Sequence, residues 1–581
     1  MDEVKEARGK SREFGRITRR RLLGGAMAAG VATLTAGLPV RAAGMGKRPN
    51  IVVILVDDMG FSDISAYGSE ISTPNVDALA AGGIKFSQFY NTARCSCSRA
   101  SLLTGAYPHQ AGLGHLEAVA VPGSLGLHGK LADRVVTVAE VLKGAGYFTG
   151  MAGKWHLGMT RGVGPWQRGF DRSIASPEGG IYFPDQTNPR GQPLNLFVDG
   201  QRYPANAPEI GHGEWYSSDL FVDWDTRFMN EARAAGKPFF LYLPFVGVHF
   251  PLMAPAEDIA RFKGKYMAGW DALRRDRLER QKRLGIVPED TVLPERLPNT
   301  YNWDKLSAEE RDRFDTIMAI YAADIARMDR AVGTLVQRLK DAGEYDNTLI
   351  LFMADNGGNA ESGPDARALG PGPLGGPHSK VFAGMEWATL QNTPFQYFKH
   401  YTEEGGISTP LIAHWPNGID AKLNGSWNRT PSHLVDIMPT VAQVAGATYP
   451  ASFNGHQIVP AQGVSLVPAF TGGPIERGKP IFWEHEGNRA VRDGQWKLVA
   501  RFKRPWQLFD MATDRTELHD LAKSQPQRVA AMAAAYDAWE AVSYVDPWKD
   551  SYDGLKRPRQ NWGGGEVPQH PEAMDRTEPD A

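Results

Sequence analysis

Cysteine is nearly absent from this chain, with two residues in 581, Cys95 and Cys97, separated by a single position. That scarcity excludes a disulfide scaffold and a cysteine-rich zinc module. Charge of one sign is also missing. The 64 Lys+Arg against 66 Asp+Glu leave a formal net charge of −2, which argues against nucleic-acid binding or an acidic solvating tail as the main role. No internal repeat is visible. Beyond the N-terminal leader no stretch reaches the ~20 predominantly apolar residues that a membrane span needs. What remains is an ordinary globular mixture, 42% apolar and 22% charged, so a sizeable buried core is expected.

The first 43 residues read as an address. Residues 1–21 are basic, and Thr18-Arg19-Arg20-Arg21-Leu22-Leu23 resembles a twin-arginine export signal. An uncharged Gly/Ala-rich stretch from Leu22 to Leu38 follows, with Val40-Arg41-Ala42 as a small-residue cleavage site. This predicts a periplasmic or extracellular protein carried by the twin-arginine translocase. That route moves folded proteins, so a modification or a metal could be installed beforehand.

From residue 44 to 474 the pattern is α/β. Asn50 to Val56 is a continuous β-branched run of the kind buried on both faces of a parallel sheet. Similar runs recur at Phe239–Leu243, Thr348–Met353 and Pro410–His414, with helix-like segments at Asn75–Ala81, Val136–Ala145 and Tyr321–Ala342. Strands alternating with helices predict a doubly wound, mostly parallel sheet. Residues 256–316 are dense in charge and read as a helical insertion with a solvated face. Residues 357–393, rich in Gly, Pro and Ala, read as a long functional or mobile loop. From 475 to 554 short strands and a helix near 526–542 predict a smaller C-terminal α+β domain. The tail at 555–581 is expected to be loosely held.

In an open α/β sheet, ligands bind outside the carboxyl ends of the strands. The apolar runs end in Asp57-Asp58, in Asp355-Asn356-Gly357-Gly358, near His249 and at Lys154-Trp155-His156. Neighbouring strand residues face opposite ways, so Asp57 and Asp58 converge only where the strand ends and the chain bends. Three carboxylates and an amide make an all-oxygen set suited to Ca²⁺ before Mg²⁺. Without a cation, three buried carboxylates would repel one another.

Arg94-Cys95-Ser96-Cys97-Ser98-Arg99, followed by Thr104-Gly105, resembles the sulfatase signature of the alkaline phosphatase-like superfamily. The resemblance extends through Asp57-Asp58-Met-Gly, Thr73–Leu79, Gly153–Gly158, His249, Asp355-Asn356-Gly-Gly and Lys399–Ile407, and is nearest the bacterial arylsulfatase type. It implies that a formylglycine-generating enzyme oxidises Cys95 to formylglycine (3-oxoalanine). It also implies one Ca²⁺ held by Asp57, Asp58, Asp355, Asn356 and the modified Cys95. Arg99 would fix the nucleophile, and Lys154 and Lys399 would neutralise sulfate oxygens. His249 with Lys399 would protonate the leaving group, and His156 would take the proton that releases sulfate. The implied activity is hydrolysis of a small-molecule sulfate ester, an aryl sulfate by type, through a formylglycine–sulfate intermediate.

One position departs from the pattern: Cys97 stands where the family has proline. A thiol is small and apolar, so conversion of Cys95 is expected to survive the change. Two alternatives stay open, a phosphonate monoester or phosphodiester hydrolase on the same scaffold, and a non-catalytic binding protein in which Cys95 remains a thiol. Among the remaining candidates, His115 could line a pocket or be structural, and His109 reads as structural. Glu484-His485-Glu486 resembles a metal cluster, but alternation along a strand would split it between two faces. Trp155, Trp387, His414 and Trp415 read as packing residues.

Overall fold

The apolar run at residues 50–56 forms the strand Asn50–Val56, with every residue buried. Its odd and even residues feed separate cores: Val52, Ile54 and Val56 face one, and Ile51, Val53 and Leu55 face the other. Burial on both faces is what a continuous rather than alternating apolar run encodes. Parallel neighbours flank it on each side, Thr348–Ala354 and Phe239–Pro244. Phe148–Lys154 and Arg172–Ser176 extend the parallel set. Beyond Thr348–Ala354 the order continues through antiparallel Ser408–His414 and Ile84–Tyr90, completing part of an eleven-stranded sheet. The structure, a computed structural model, describes residues 47–549 except Pro189. The expected leader and the tail at 555–581 lie outside the described residues.

Helices cover both faces. Pro74–Ala81, Ser217–Ala234 and Ala308–Asp341 pack on one; Cys95–Thr104, Val138–Gly144 and Ile437–Ala445 pack on the other. The fold is therefore the expected doubly wound α/β arrangement with a mostly parallel sheet. The long helix begins at Ala308 rather than near Tyr321. Ser307 and Glu310 form a reciprocal capping box there, at 3.2 and 2.6 Å, which starts the helix inside the charged stretch.

The charged segment differs from expectation. Helix Trp270–Arg283 is docked through its arginines rather than solvated along that face. Arg277 is fully buried, bonding Asp63 (2.7 Å), Glu70 (2.7 Å) and Ser62 Oγ (2.9 Å). The loop at 357–393 also closes with a wholly buried helix, Met385–Gln391. Trp387 of that helix meets Trp270 edge-on, with ring centroids 5.3 Å apart, so it is a core residue.

Ile481–His485, Asn488–Asp493, Trp496–Ala500 and Gln507–Asp510 form a four-stranded antiparallel sheet. Helix Pro526–Val542 covers one face through Met532, Tyr536 and Trp539. The other face packs Ile481 and Trp483 against Tyr90, Ala93 and Ile407. Among the described residues no helix is long and apolar enough to cross a membrane.

Candidate active site

The strand Asn50–Val56 stops just before Asp57, and Asp58 adopts φ +61°. That left-handed turn, uncommon outside glycine, is how adjacent aspartates come to share one site. Asp58 N–H donates to Asp355 Oδ1 (3.2 Å), and Asn356 Nδ2 donates to Asp58 Oδ1 (2.7 Å). The ends of two neighbouring parallel strands therefore supply the expected oxygen cluster. Gly179 lies against it: a Cβ there would meet His249 Nδ1 at 3.1 Å and Asp57 Oδ2 at 3.4 Å.

Mutual repulsion between the carboxylates is relieved by cations of the chain itself. Lys154 Nζ lies 2.5 Å from Asp57 Oδ2, and Lys399 Nζ 2.7 Å from Asp58 Oδ1. Arg99 bonds Asp355 through Nη2 at 2.8 Å and donates to the Lys154 carbonyl at 3.0 Å. Burial alone would raise Asp57, but Lys154, His249, Arg99 and Lys399 hold it far below the usual carboxylate range. Burial likewise opposes ionisation of Asp58, and Lys399 and His249 outweigh it. Asp355 is pushed well up by burial and by the charge on Asp57, despite Arg99.

Two acceptors in this dense cluster have no hydrogen-bond partner, Asp57 Oδ1 and Asn356 Oδ1, although both are buried. Unpaired buried polar atoms are costly, and oxygens from a carboxylate and an amide are what a hard divalent cation takes. The residues present thus fit a hard divalent cation. His249 also approaches, with ligand atoms of Asp57, Asp58 and His249 mutually within 4.8 Å.

Cys95 is the first residue of helix Cys95–Thr104 and is 1% exposed. Arg99, one turn further along the same helix face, bonds Asp355 at 2.8 Å, which brings the Cys95 end of that face to the cluster. Two helix positions later the side-chain direction has turned by roughly 200°. Cys97 accordingly lies away from the cluster, its Sγ 3.9 Å from His485 Nδ1 in the C-terminal sheet. Burial pushes the Cys97 thiol well up, so it stays protonated.

The two site histidines differ in surroundings. His156 is held well below the ordinary imidazole range by burial and then by Lys154, and its Nδ1 has no partner. His249 is partly exposed and has oxygens at both nitrogens, Phe250 O at 2.5 Å from Nδ1 and Asp58 Oδ2 at 3.5 Å from Nε2.

Four further residues surround the site that sequence reasoning did not single out. Asn359 Nδ2 donates to Asp58 Oδ2 at 2.7 Å. Glu361 pairs with Arg94 at 2.7 Å and lies 3.8 Å from Lys399. His400 bonds Glu361 at 3.0 Å and also contacts Arg94. Their signals were faint: Asn359 and Glu361 sit in a Gly-rich loop, and Arg94 and His400 are merely adjacent to Cys95 and Lys399.

The sulfatase family profile matches residues 49–447, more than half of the chain and the whole span that builds this cluster. The chain belongs to the sulfatase family. Its relatives include an arylsulfatase of Klebsiella aerogenes, 37% identical over 459 residues, covering 76% of this chain and 96% of that protein. An uncharacterized sulfatase of Schizosaccharomyces pombe is 34% identical over 537 residues, covering 87% and 96%. Among solved structures, Ps i-CgsB superposes at TM-score 0.64 with 28% identity, covering 90% of this chain and 100% of that one. Hydrolysis of sulfuric esters is the activity class of this sulfatase.

Proposed function

We propose that this sulfatase hydrolyses aryl sulfates to a phenol and inorganic sulfate, with Cys95 matured to formylglycine and Ca²⁺ bound by Asp57, Asp58, Asp355 and Asn356. The carrying observation is the pair of orphaned acceptors, Asp57 Oδ1 and Asn356 Oδ1, in a cluster beside the buried start of the Cys95 helix. The matured residue would supply a hydrated aldehyde as nucleophile, and the ion would withdraw charge from sulfate oxygens.

The chain's own side chains supply the rest. Lys154 and Lys399 bring two buried ammonium groups to the position where sulfate oxygens gain charge. Arg99 fixes Asp355 and the Lys154 carbonyl, holding the nucleophile helix against two strand ends. His249, with an oxygen facing each ring nitrogen, holds the proton that goes to the departing phenolate. His156, kept neutral by burial, accepts a proton at a ring nitrogen when sulfate is released.

Support for an aryl leaving group comes from phenylalanine. The Phe250 ring lies 4.3 Å from His249, Phe382 stacks on Phe250 at 4.7 Å, and Lys399 Nζ is 5.8 Å from the Phe250 ring. A flat ring leaving from sulfur would meet that half-buried pair. The twin-arginine reading of residues 18–23 adds export to the proposal. Side-by-side kcat/KM values for an aryl sulfate, a sulfated oligosaccharide, a phosphonate monoester and a phosphodiester test it. A preference for aryl sulfate supports the reading, and a larger kcat/KM for any of the others overturns it.

A further inference from the structure

Outside this cluster, the hairpin turn of the C-terminal sheet brings together titratable groups that the hydrolysis does not use. The expectation that alternation would scatter Glu484, His485 and Glu486 holds for the first two only. Glu484 pairs with His109 at 2.7 Å. Glu486 lies past the strand end with φ +57°, which swings its carboxylate back toward His485. His115, from the loop after the Cys95 helix, meets it there, with Nε2 at 2.7 Å from Glu486 Oε1.

We propose that His115, His485 and Glu486 form a second metal site, for a divalent transition ion of the Zn²⁺ class, that ties the C-terminal sheet to the main body. Ligand atoms of the three residues lie within 4.8 Å of one another, and all three are buried. His485 Nε2 has no hydrogen-bond partner and lies 3.8 Å from Glu486 Oε1. Its other nitrogen, Nδ1, faces the Cys97 sulfur at 3.9 Å. A proton held on Nδ1 by that contact leaves a lone pair on Nε2, the arrangement metal-binding histidines use. Two imidazoles and a carboxylate are a donor set for Zn²⁺ rather than Ca²⁺.

The surrounding charges agree. His400 Nδ1 lies 3.5 Å from Glu486 Oε2, on the second carboxylate oxygen. The nearby positive charge of Arg94 is matched by Glu361 at 2.7 Å. Metal uptake displaces two hydrogen bonds: the His115 proton leaves Nε2, which gives up its bond to Glu486, and moves to Nδ1, which then no longer accepts from Leu116 N–H. The site also gives a place to Cys97, whose sulfur orients a ligand instead of serving the nucleophile.

The test is metal content, read separately from activity. The full chain is stripped with a chelator, then equilibrated with excess Ca²⁺ and micromolar Zn²⁺ or Co²⁺, and analysed by elemental mass spectrometry. The expected result is one transition ion per chain in addition to Ca²⁺. His485→Ala and Glu486→Gln lose it, and Asp58→Asn, which impairs the Ca²⁺ cluster, keeps it. Co²⁺ should also show visible absorption that vanishes in His485→Ala. A wild-type chain of unchanged circular dichroism that takes up no transition ion overturns the proposal. Undiminished uptake by folded His485→Ala does so too.

Discussion

Lys154 Nζ sits 2.5 Å from Asp57 Oδ2 with both side chains fully buried, while Oδ1 of the same carboxylate has no hydrogen-bond partner and lies 3.6 Å from Arg99 Nη2. One oxygen is committed to the chain's own cation and the other is free for an ion. Removing the ammonium takes away the nearest of the positive charges that compensate buried Asp57. Lys154→Met is expected to lower kcat on the order of 10²–10³-fold, as for loss of one transition-state donor. Steady-state kinetics on the variant, with its fold checked by circular dichroism, measures this.

Chelation should silence the enzyme and Ca²⁺ should restore it. A metal supplies several kcal/mol of charge stabilisation, so removal is expected to cost on the order of 10²-fold or more. Zn²⁺ alone should fail to restore turnover, because Asp57, Asp58, Asp355 and Asn356 present only oxygens. Rescue titrations with Ca²⁺, Mg²⁺ and Zn²⁺ check the order.

The two histidines should separate by leaving group. His249→Asn is expected to slow esters of poor leaving groups far more than activated ones, because an activated phenolate needs little protonation. His156→Asn should slow all of them alike, on the order of 10²–10⁴-fold. Plots of log kcat against leaving-group pKa for both variants distinguish the roles.

The middle of the central sheet was legible because its strands are apolar on both faces, which leaves continuous runs such as Asn50–Val56. The strand Ile84–Tyr90 was missed because Lys85, Ser87 and Gln88 interrupt the run. The start of helix Ala308–Asp341 was missed because its first turns carry mostly charge, and the Ser307–Glu310 capping box is a subtler mark. In the site, residues ending apolar strands could be read directly. Glu361 and His400 could not, since only the fold brings them to Lys399. Arg277 was read as solvated because sequence shows its charge but not the Asp63 and Glu70 waiting for it.

That pairing carries its own prediction. Arg277→Ala would strand Asp63 in the interior, where breaking a buried pair costs about 3–5 kcal/mol. Arg277→Lys should recover only part, because a single ammonium cannot reproduce the guanidinium's bonds to Asp63, Glu70 and Ser62. Urea denaturation of the three proteins gives the ranking.

Acid stability should depend on His433, which burial and Arg477 push down from 6.5 to about 3. Between those values the unfolded chain binds the extra proton, so stability is full above about pH 6.5 and falls as pH drops. The slope from this one residue approaches about 1.4 kcal/mol per pH unit. His433→Asn can keep the cap on Val435 N–H, which His433 Nδ1 now accepts at 3.1 Å. Its unfolding free energy between pH 4 and 6 should therefore decline less steeply than that of wild type, measured by denaturant titration at each pH.

The proposed mechanism turns on Cys95, the first residue of the helix that carries Arg99 to the cluster. Peptide mass spectrometry of an active preparation measures it directly. The expected result is the mass of an aldehyde residue at position 95 and an unmodified thiol at Cys97. Full activity in a preparation whose Cys95 is entirely unmodified would contradict it.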